Sequence, residues 1–343
     1  MSQTVNILSL DGGGTRGLFP ATLLDCLRRD TGMPLSALFD VIVGSATGGI
    51  IAAALACGVD TAEIVDIYLN RAGFILPATR FRRLWNPLNL FAPKYPNANL
   101  KQLLTQKFGT TTLQDVAAQH GTRPAFLLAA LDLSPDLAPD EPPAFRVEIY
   151  NSALTAHQDE RMVNLALRTS AAAVNLPLHG RFSEGGNYAN DPALIGLAFA
   201  LNDKVAPSEG MSRLPGHRLG LGASLKDIRL FSLGCGSTGS SFVSRRKIGN
   251  GNWGLLKWTG HLVSLVIDTN MVAVQHYLRE MLHPAHYYRL NPYYSAADAP
   301  AVLRNQALKI DVTDAAQLAA IHAYAEALYQ QQKAAIYRFL DLS

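Results

Sequence analysis

Phe39-Asp40-Val41-Ile42-Val43-Gly44-Ser45-Ala46-Thr47-Gly48-Gly49-Ile50 decides the fold class. Phe39 to Val43 is an apolar run of strand length, and from about Thr47 to Cys57 small and apolar residues continue as a helix. Gly44-Ser45-Ala46-Thr47-Gly48 joins them in a tight turn. The same grammar stands upstream. Val5 to Leu10 reads as a short buried strand, Asp11-Gly12-Gly13-Gly14-Thr15-Arg16-Gly17 as a glycine loop, and Leu18 to Arg29 as a helix. Strand, loop and helix repeated twice predict an α/β chain with a parallel sheet.

Composition supports a packed core. Of 343 residues 48% are hydrophobic and 17% charged, which is too apolar for a disordered chain. A net charge of +3 gives no basis for nucleic-acid binding. Cys26, Cys57 and Cys235 form neither a CxxC pair nor a disulfide framework, which suggests a reducing compartment. Met1-Ser2-Gln3-Thr4 carries no basic n-region, so a cytoplasmic location is expected. Val41 to Val59 is free of charge and long enough to span a bilayer. Its glycines, Ser45 and Thr47 argue instead for a buried strand, a turn and a buried helix.

Further strand-like runs lie at Ala125–Leu133, Phe145–Tyr150 and Ile228–Leu233, and Asp136 to Pro143 reads as a hairpin-like connection. Ala315 to Leu340 reads as a C-terminal helix or helix pair. Between Ile75 and Asn97 the pattern is broken by Pro77, Pro87, Pro93 and Pro96. Phe81, Trp85, Phe91 and Tyr95 keep this stretch apolar, and Arg80, Arg82 and Arg83 charge it. Such an excursion is either a lid or a packed surface loop. No internal repeat or domain boundary is visible, so residues 1–343 are expected to form a single domain.

The turn at Gly44–Gly48 has the setting of a nucleophile elbow, G-x-S-x-G, whose central residue sits on a strained strand-to-helix turn. The helix that follows aims its N-terminus at developing negative charge. In this register the nucleophile position holds Ala46. Ser45 is no substitute, because Val43 and Thr47 would flank it and its side chain should point elsewhere. Backbone amides of Gly12, Gly13 and Gly14 are what an oxyanion hole requires. The rival reading is a phosphate clamp built on the Asp-Gly-Gly run. It fits less well, because such a clamp joins two strands whereas Leu18 onward looks helical.

Together these residues resemble the patatin-like phospholipase family. Its D-G-G-G-x-R-G loop is intact at Asp11–Gly17, and its elbow matches at Gly44–Gly48 except at the nucleophile. Its later D-G-G matches in part at Glu184-Gly185-Gly186, followed by Asn187-Tyr188-Ala189-Asn190-Asp191-Pro192. Similarity continues around Lys107-Phe108-Gly109, at Arg168-Thr169-Ser170-Ala171-Ala172 and at Leu233-Gly234-Cys235-Gly236.

The resemblance implies a three-layer α/β/α fold with a mainly parallel sheet. It also implies a phospholipase A type of acyl hydrolase that acts on membrane phospholipids through a Ser–acid dyad and needs no cofactor. Residue 46 would attack the ester, residue 184 would be the general base, and Gly12–Gly14 would hold the oxyanion. Arg16 would orient that loop or meet a phosphate head group.

Two departures stand out. Ala46 has no nucleophile, so the chain as written is expected to be inactive, whether by an engineered Ser→Ala change or as a natural pseudoenzyme that binds lipid. Glu184 replaces the usual Asp and adds one methylene, roughly 1.5 Å of reach. Some bacterial members of the family are anti-phage effectors switched on by cyclic nucleotides. The resemblance thus adds a cyclic-nucleotide activator, sensed within the hydrolase fold or at a homo-oligomer interface.

Other residues carry weaker signals. His283 and His286 are too thinly supported for a metal site, and no metal is expected. His261 or His276 could complete a triad, but a dyad leaves both structural. Arg245-Arg246-Lys247, Trp253 and Trp258 read either as a membrane-touching segment or as a solvated loop.

Overall fold

The computed structural model describes residues 4–77, 86, 89–138, 140–239, 242–259, 261–304 and 308–342. Its centre is a seven-stranded sheet: β1 (Val5–Leu10), β2 (Val41–Ser45), β3 (Ala125–Asp132), β4 (Arg146–Asn151), β5 (Phe182–Glu184), β6 (Ile228–Leu233) and β7 (Tyr287–Leu290). The strand order is β4-β3-β2-β1-β6-β7, with β5 also on β3. The β1–β2, β2–β3, β1–β6 and β6–β7 pairs are parallel, whereas β4 and β5 run antiparallel to β3.

Strand alternation sorts the core into two faces. Leu8, Leu10, Ile42, Phe126, Leu128 and Phe231 point to one, and Val5, Ile7, Val41, Val43, Leu127 and Leu230 to the other. The first face is covered by α1 (Leu18–Thr31), α2 (Thr47–Ala56), α3 (Thr61–Ile75), α4 (Ala98–Phe108), α5 (Leu113–His120), α6 (Met162–Thr169) and, after the second-face helices, the long α9 (Ala315–Phe339). The second face is covered by α7 (Ala193–Leu201) and α8 (Leu262–Met281). Both faces are closed, which is why the central strands are apolar throughout. This is the expected three-layer α/β/α arrangement.

Local chemistry sets the boundaries. Helix α1 stops at Gly32, whose φ of 65° is the left-handed conformation that glycine adopts without a Cβ penalty. Asp60 caps α3 by accepting from the Ala62 amide, and Thr112 with Asp115 forms a capping box on α5. The uncharged stretch from Val41 divides into β2, a turn and α2, and no helix among the described residues is long and apolar enough to cross a membrane. The C-terminal stretch is one helix rather than two.

In the proline-rich excursion Arg80, Phe81, Arg82, Arg83, Trp85 and Pro87 lie outside the described residues. What is described is tied down: buried Asn86 accepts from the Phe91 and Ala92 amides, and the Lys94 and Tyr95 amides donate to the Val174 and Asn175 carbonyls.

Candidate active site

The turn after β2 holds Ala46 at φ 50°, ψ −120°, a conformation alanine adopts at a cost of about 1–3 kcal/mol. Close packing enforces it. A Cβ on Gly44 would stand 2.2 Å from the Gly48 carbonyl oxygen, and one on Gly48 would stand 2.1 Å from that of Leu10. Strand and helix therefore approach one another more closely than any side chain permits. The Ala46 amide donates to Thr169 Oγ1 at 3.1 Å, and its carbonyl accepts from the Ile50 amide to begin α2. Ser45 is fully buried and does not border the cavity that Ala46 faces.

Glu184 reaches the same place through strand register. On one side of β3, β2 pairs up to Ser45 opposite Ala129, and β5 takes over with Glu184 opposite Ala130. The two strands therefore run end to end along one edge, bringing residues 46 and 184 to the same cavity wall. Gly185 and Gly186 keep that junction open: a Cβ on Gly185 would meet the Ala129 carbonyl oxygen at 2.4 Å, and one on Gly186 would lie 3.4 Å from the Glu184 carboxyl. Burial pushes the Glu184 carboxyl up to about 7, partly offset by a hydrogen bond from the Ala173 amide.

The glycine loop closes the third side. A Cβ on Gly12 would sit 3.1 Å from that of Ala46, so loop and elbow are in direct apposition. Gly12 differs from its neighbours in one respect. Its amide is occupied by the Asn190 carbonyl at 2.9 Å, whereas those of Gly13 and Gly14 have no partner among the described residues. Gly14 has φ +61°, and a Cβ there would lie 2.0 Å from the Ile310 carbonyl oxygen. Arg16 borders the cavity, and its buried Nε has no hydrogen-bond partner among the described residues.

Arg289, on β7, was not legible as a site residue. Its guanidinium contacts both oxygens of Asp11, at 2.5 and 3.3 Å, and lies 3.1 Å from Asp191. All three side chains are buried. Burial raises the Asp11 and Asp191 carboxyls, opposed by the shared guanidinium, and the charge of Asp191 raises Asp11 further. This ion triad fixes the start of the glycine loop against the segment that follows Glu184.

Gly12, Gly13, Gly14, Arg16, Ala46 and Glu184 thus border one cavity of about 600 Å³, while Gly44 and Gly48 shape its floor from behind. Much of the remaining wall is apolar, with Ile50 and Ala54 of α2, Ile64 and Ile67 of α3, and Leu100, Leu104 and Phe108 of α4, although Lys94, Lys107 and Asp311 also border the cavity. A polar reaction corner with an apolar arm suits an acyl ester, with the carbonyl at the corner and the hydrocarbon in the arm.

Neither His261 nor His276 borders the cavity. Among the described residues no cluster of His, Cys, Asp and Glu could hold a metal ion. His283 instead accepts from the Ala285 amide as the cap of a short turn.

Residues 8–197 match the sequence profile of the patatin-like phospholipases, and the chain belongs to that family. It is 29% identical over 283 residues to a protein of Pseudomonas aeruginosa named cGAMP-activated phospholipase, covering 81% of this chain and 76% of that one. It is 27% identical over 290 residues to a Solanum tuberosum protein named probable inactive patatin-3-Kuras 1, covering 76% and 70%. Among solved structures, VipD from Legionella pneumophila aligns with a TM-score of 0.37 at 12% identity, over 94% of this chain and 67% of that one.

Proposed function

We propose that this scaffold serves a phospholipase A type of hydrolysis and that Ala46 withholds the nucleophile from it. One observation carries the reading: at the polar end of an apolar cavity, a strained strand-to-helix turn faces a carboxylate and two backbone amides that have no partner among the described residues.

With serine at 46, Oγ would bond to the ester carbon as its proton passes to the Glu184 carboxylate. The carbonyl electrons would move onto an oxyanion held by the Gly13 and Gly14 amides. Collapse would expel the lysolipid alkoxide, which takes the proton from Glu184. Water, deprotonated by the same carboxylate, would then bond to the acyl carbon; the acyl–Oγ bond breaks, Oγ takes the proton back from Glu184, and the fatty acid leaves. A base near 7 is well placed for both steps, since it accepts and returns a proton at neutral pH.

Ala46 offers no atom to attack the ester, and loss of a catalytic serine costs on the order of a million-fold in rate in a serine hydrolase such as subtilisin. The test is Ala46→Ser followed by fatty-acid release from phospholipid. Activity well above that of the parent chain supports the reading. Release no greater than the parent's sinks it in favour of a lipid-binding pseudoenzyme, a reading to which Glu184 in place of the usual Asp lends weight.

Activation by a cyclic nucleotide is part of the proposal, supported by the name of the Pseudomonas relative. Calorimetry against a panel of cyclic dinucleotides tests it, with no heat for any member counting against it. The proposed setting is a cytoplasmic protein working at the membrane surface.

A further inference from the structure

We infer that the basic, aromatic segment from Phe242 to Val266 docks this protein on an anionic lipid surface and presents the mouth of the cavity to it. The inference rests on the phospholipase reading for its purpose, but on separate residues for its chemistry.

The charge pattern comes first. The whole chain is nearly balanced, with 30 basic and 27 acidic residues, yet no Asp or Glu occurs between Asp227 and Asp268. Within that gap Arg229, on β6, pairs with Asp341, and beyond β6 stand Arg245, Arg246, Lys247 and Lys257, all exposed. Among the described residues none of the four is in a salt bridge. A solvated surface of a balanced protein usually intersperses both signs; this one has a single sign and, among the described residues, no carboxylate partner.

The apolar pattern coincides with it. Phe242 is 76% exposed, Leu255 74% and Val266 56%, and Trp258 and Leu262 are also exposed. Leu262 and Val266 are four residues apart and share a face of α8. Trp253 and Trp258 pack edge to face at 5.3 Å, and the Lys257 ammonium lies 5.9 Å from the Trp253 ring centre. Large apolar side chains left in water beside tryptophans and unpaired cations are the composition of an interfacial anchor. There the rings enter the head-group layer and the lysines and arginines reach anionic phosphates. With no described helix able to cross a bilayer, such contact would be peripheral.

Position joins the surface to the site. Thr259, Ser264, Ile267 and Met271, on or just before α8, line the cavity, while Leu262 and Val266 on the same stretch are exposed. One short element therefore has a wall of the cavity on one side and the apolar surface on the other. A lipid leaving a bilayer at this surface would enter the cavity without crossing water.

The chain as it stands, with Ala46, suits the experiment because it cannot turn over its target. Flotation with vesicles of phosphatidylcholine alone and with phosphatidylglycerol added, at low and high salt, is the measurement. Binding is expected to the anionic vesicles and to fall with salt. Arg246→Glu combined with Lys257→Glu should weaken it tenfold or more, and Leu255→Ser with Leu262→Ser should weaken it while leaving the salt dependence. Equal binding by parent and both variants, or no binding by the parent, overturns the inference. So does a loss of self-association in the variants without any change in vesicle binding, which would assign the surface to a second copy of the chain.

Hydrolysis of a soluble short-chain ester by Ala46→Ser separates the two readings. Esterase activity without vesicle binding removes the docking surface alone; vesicle binding without esterase activity removes the hydrolase alone.

Discussion

Arg289 holds both carboxylate oxygens of Asp11, although one stands on the last strand of the sheet and the other just past the end of the first. The guanidinium is also within 3.1 Å of Asp191. Replacing it by leucine would leave two acids buried without a cation, a change expected to cost about 3–5 kcal/mol. The loss has a sign in pH. Both carboxyls are already raised by burial and would rise further, so the folded state would hold protons that the unfolded chain releases near its ordinary value of about 4. The deficit of Arg289→Leu should therefore be largest at neutral and alkaline pH and shrink as pH falls towards 4. Urea unfolding across that range measures it; a deficit that grows on acidification would contradict the assignment.

Glu184 governs a second pH effect. Its carboxyl stands at about 7, so its ionised fraction increases as pH rises through that value. In the Ala46→Ser background, kcat/KM should rise tenfold per pH unit below about 7 and level off above it. Glu184→Gln should abolish that limb and lower the rate about 10²–10⁴-fold. Glu184→Asp should retain a limb, at a rate reduced by the changed reach of the base.

Thr169 supplies the acceptor for the amide of Ala46. Thr169→Val keeps the shape of the side chain but leaves that buried amide unsatisfied, a penalty of about 1–3 kcal/mol. A lower midpoint in chemical denaturation is expected, together with a lower kcat in the Ala46→Ser background and little change in KM for a short ester.

Gly48 tests the packing of the turn. Gly48→Ala places a methyl 2.1 Å from the Leu10 carbonyl oxygen, a backbone atom that can move only with β1. Destabilisation of at least about 1–3 kcal/mol is expected, whereas Gly32→Ala, with open space around it, should lose stability only through its positive φ. Thermal unfolding of the pair checks the contrast.

The apolar arm makes a prediction about chain length. Ala54→Leu adds bulk to the wall of α2 inside the cavity. In the Ala46→Ser background it should depress hydrolysis of long-chain esters several-fold more than that of butyrate esters. Equal loss on both would remove the arm from substrate binding.

Much of this could be read along the chain. Val5–Leu10 and Ile228–Leu233 are strands at the residues expected, because continuous apolar runs between turns have few other outcomes. The turn at Ala46 was legible because Gly44 and Gly48 stand two residues to either side of it, and small residues at that spacing mark close approach. The three residues of β5 were not, since Phe182-Ser183-Glu184 has neither length nor alternation and becomes a strand only because β3 offers it an unpaired edge. Arg289 was equally silent, because nothing around Tyr287-Tyr288-Arg289-Leu290 marks a buried cation until the fold brings two acids to it. Thr169 and the engagement of Gly12 by Asn190 are likewise products of tertiary contact.

The end-to-end meeting of β2 and β5 along β3 has an evolutionary corollary. Spacing between the two reacting positions is set by a third strand acting as a ruler, with a graduation of about 3.3 Å per residue. Loops between the strands and helices of the intervening sequence can therefore change length without altering that spacing. A slip of one residue in β5, by contrast, would turn position 184 to the opposite side of the sheet. The ruler therefore constrains three residues of strand more tightly than the loops that lead to them.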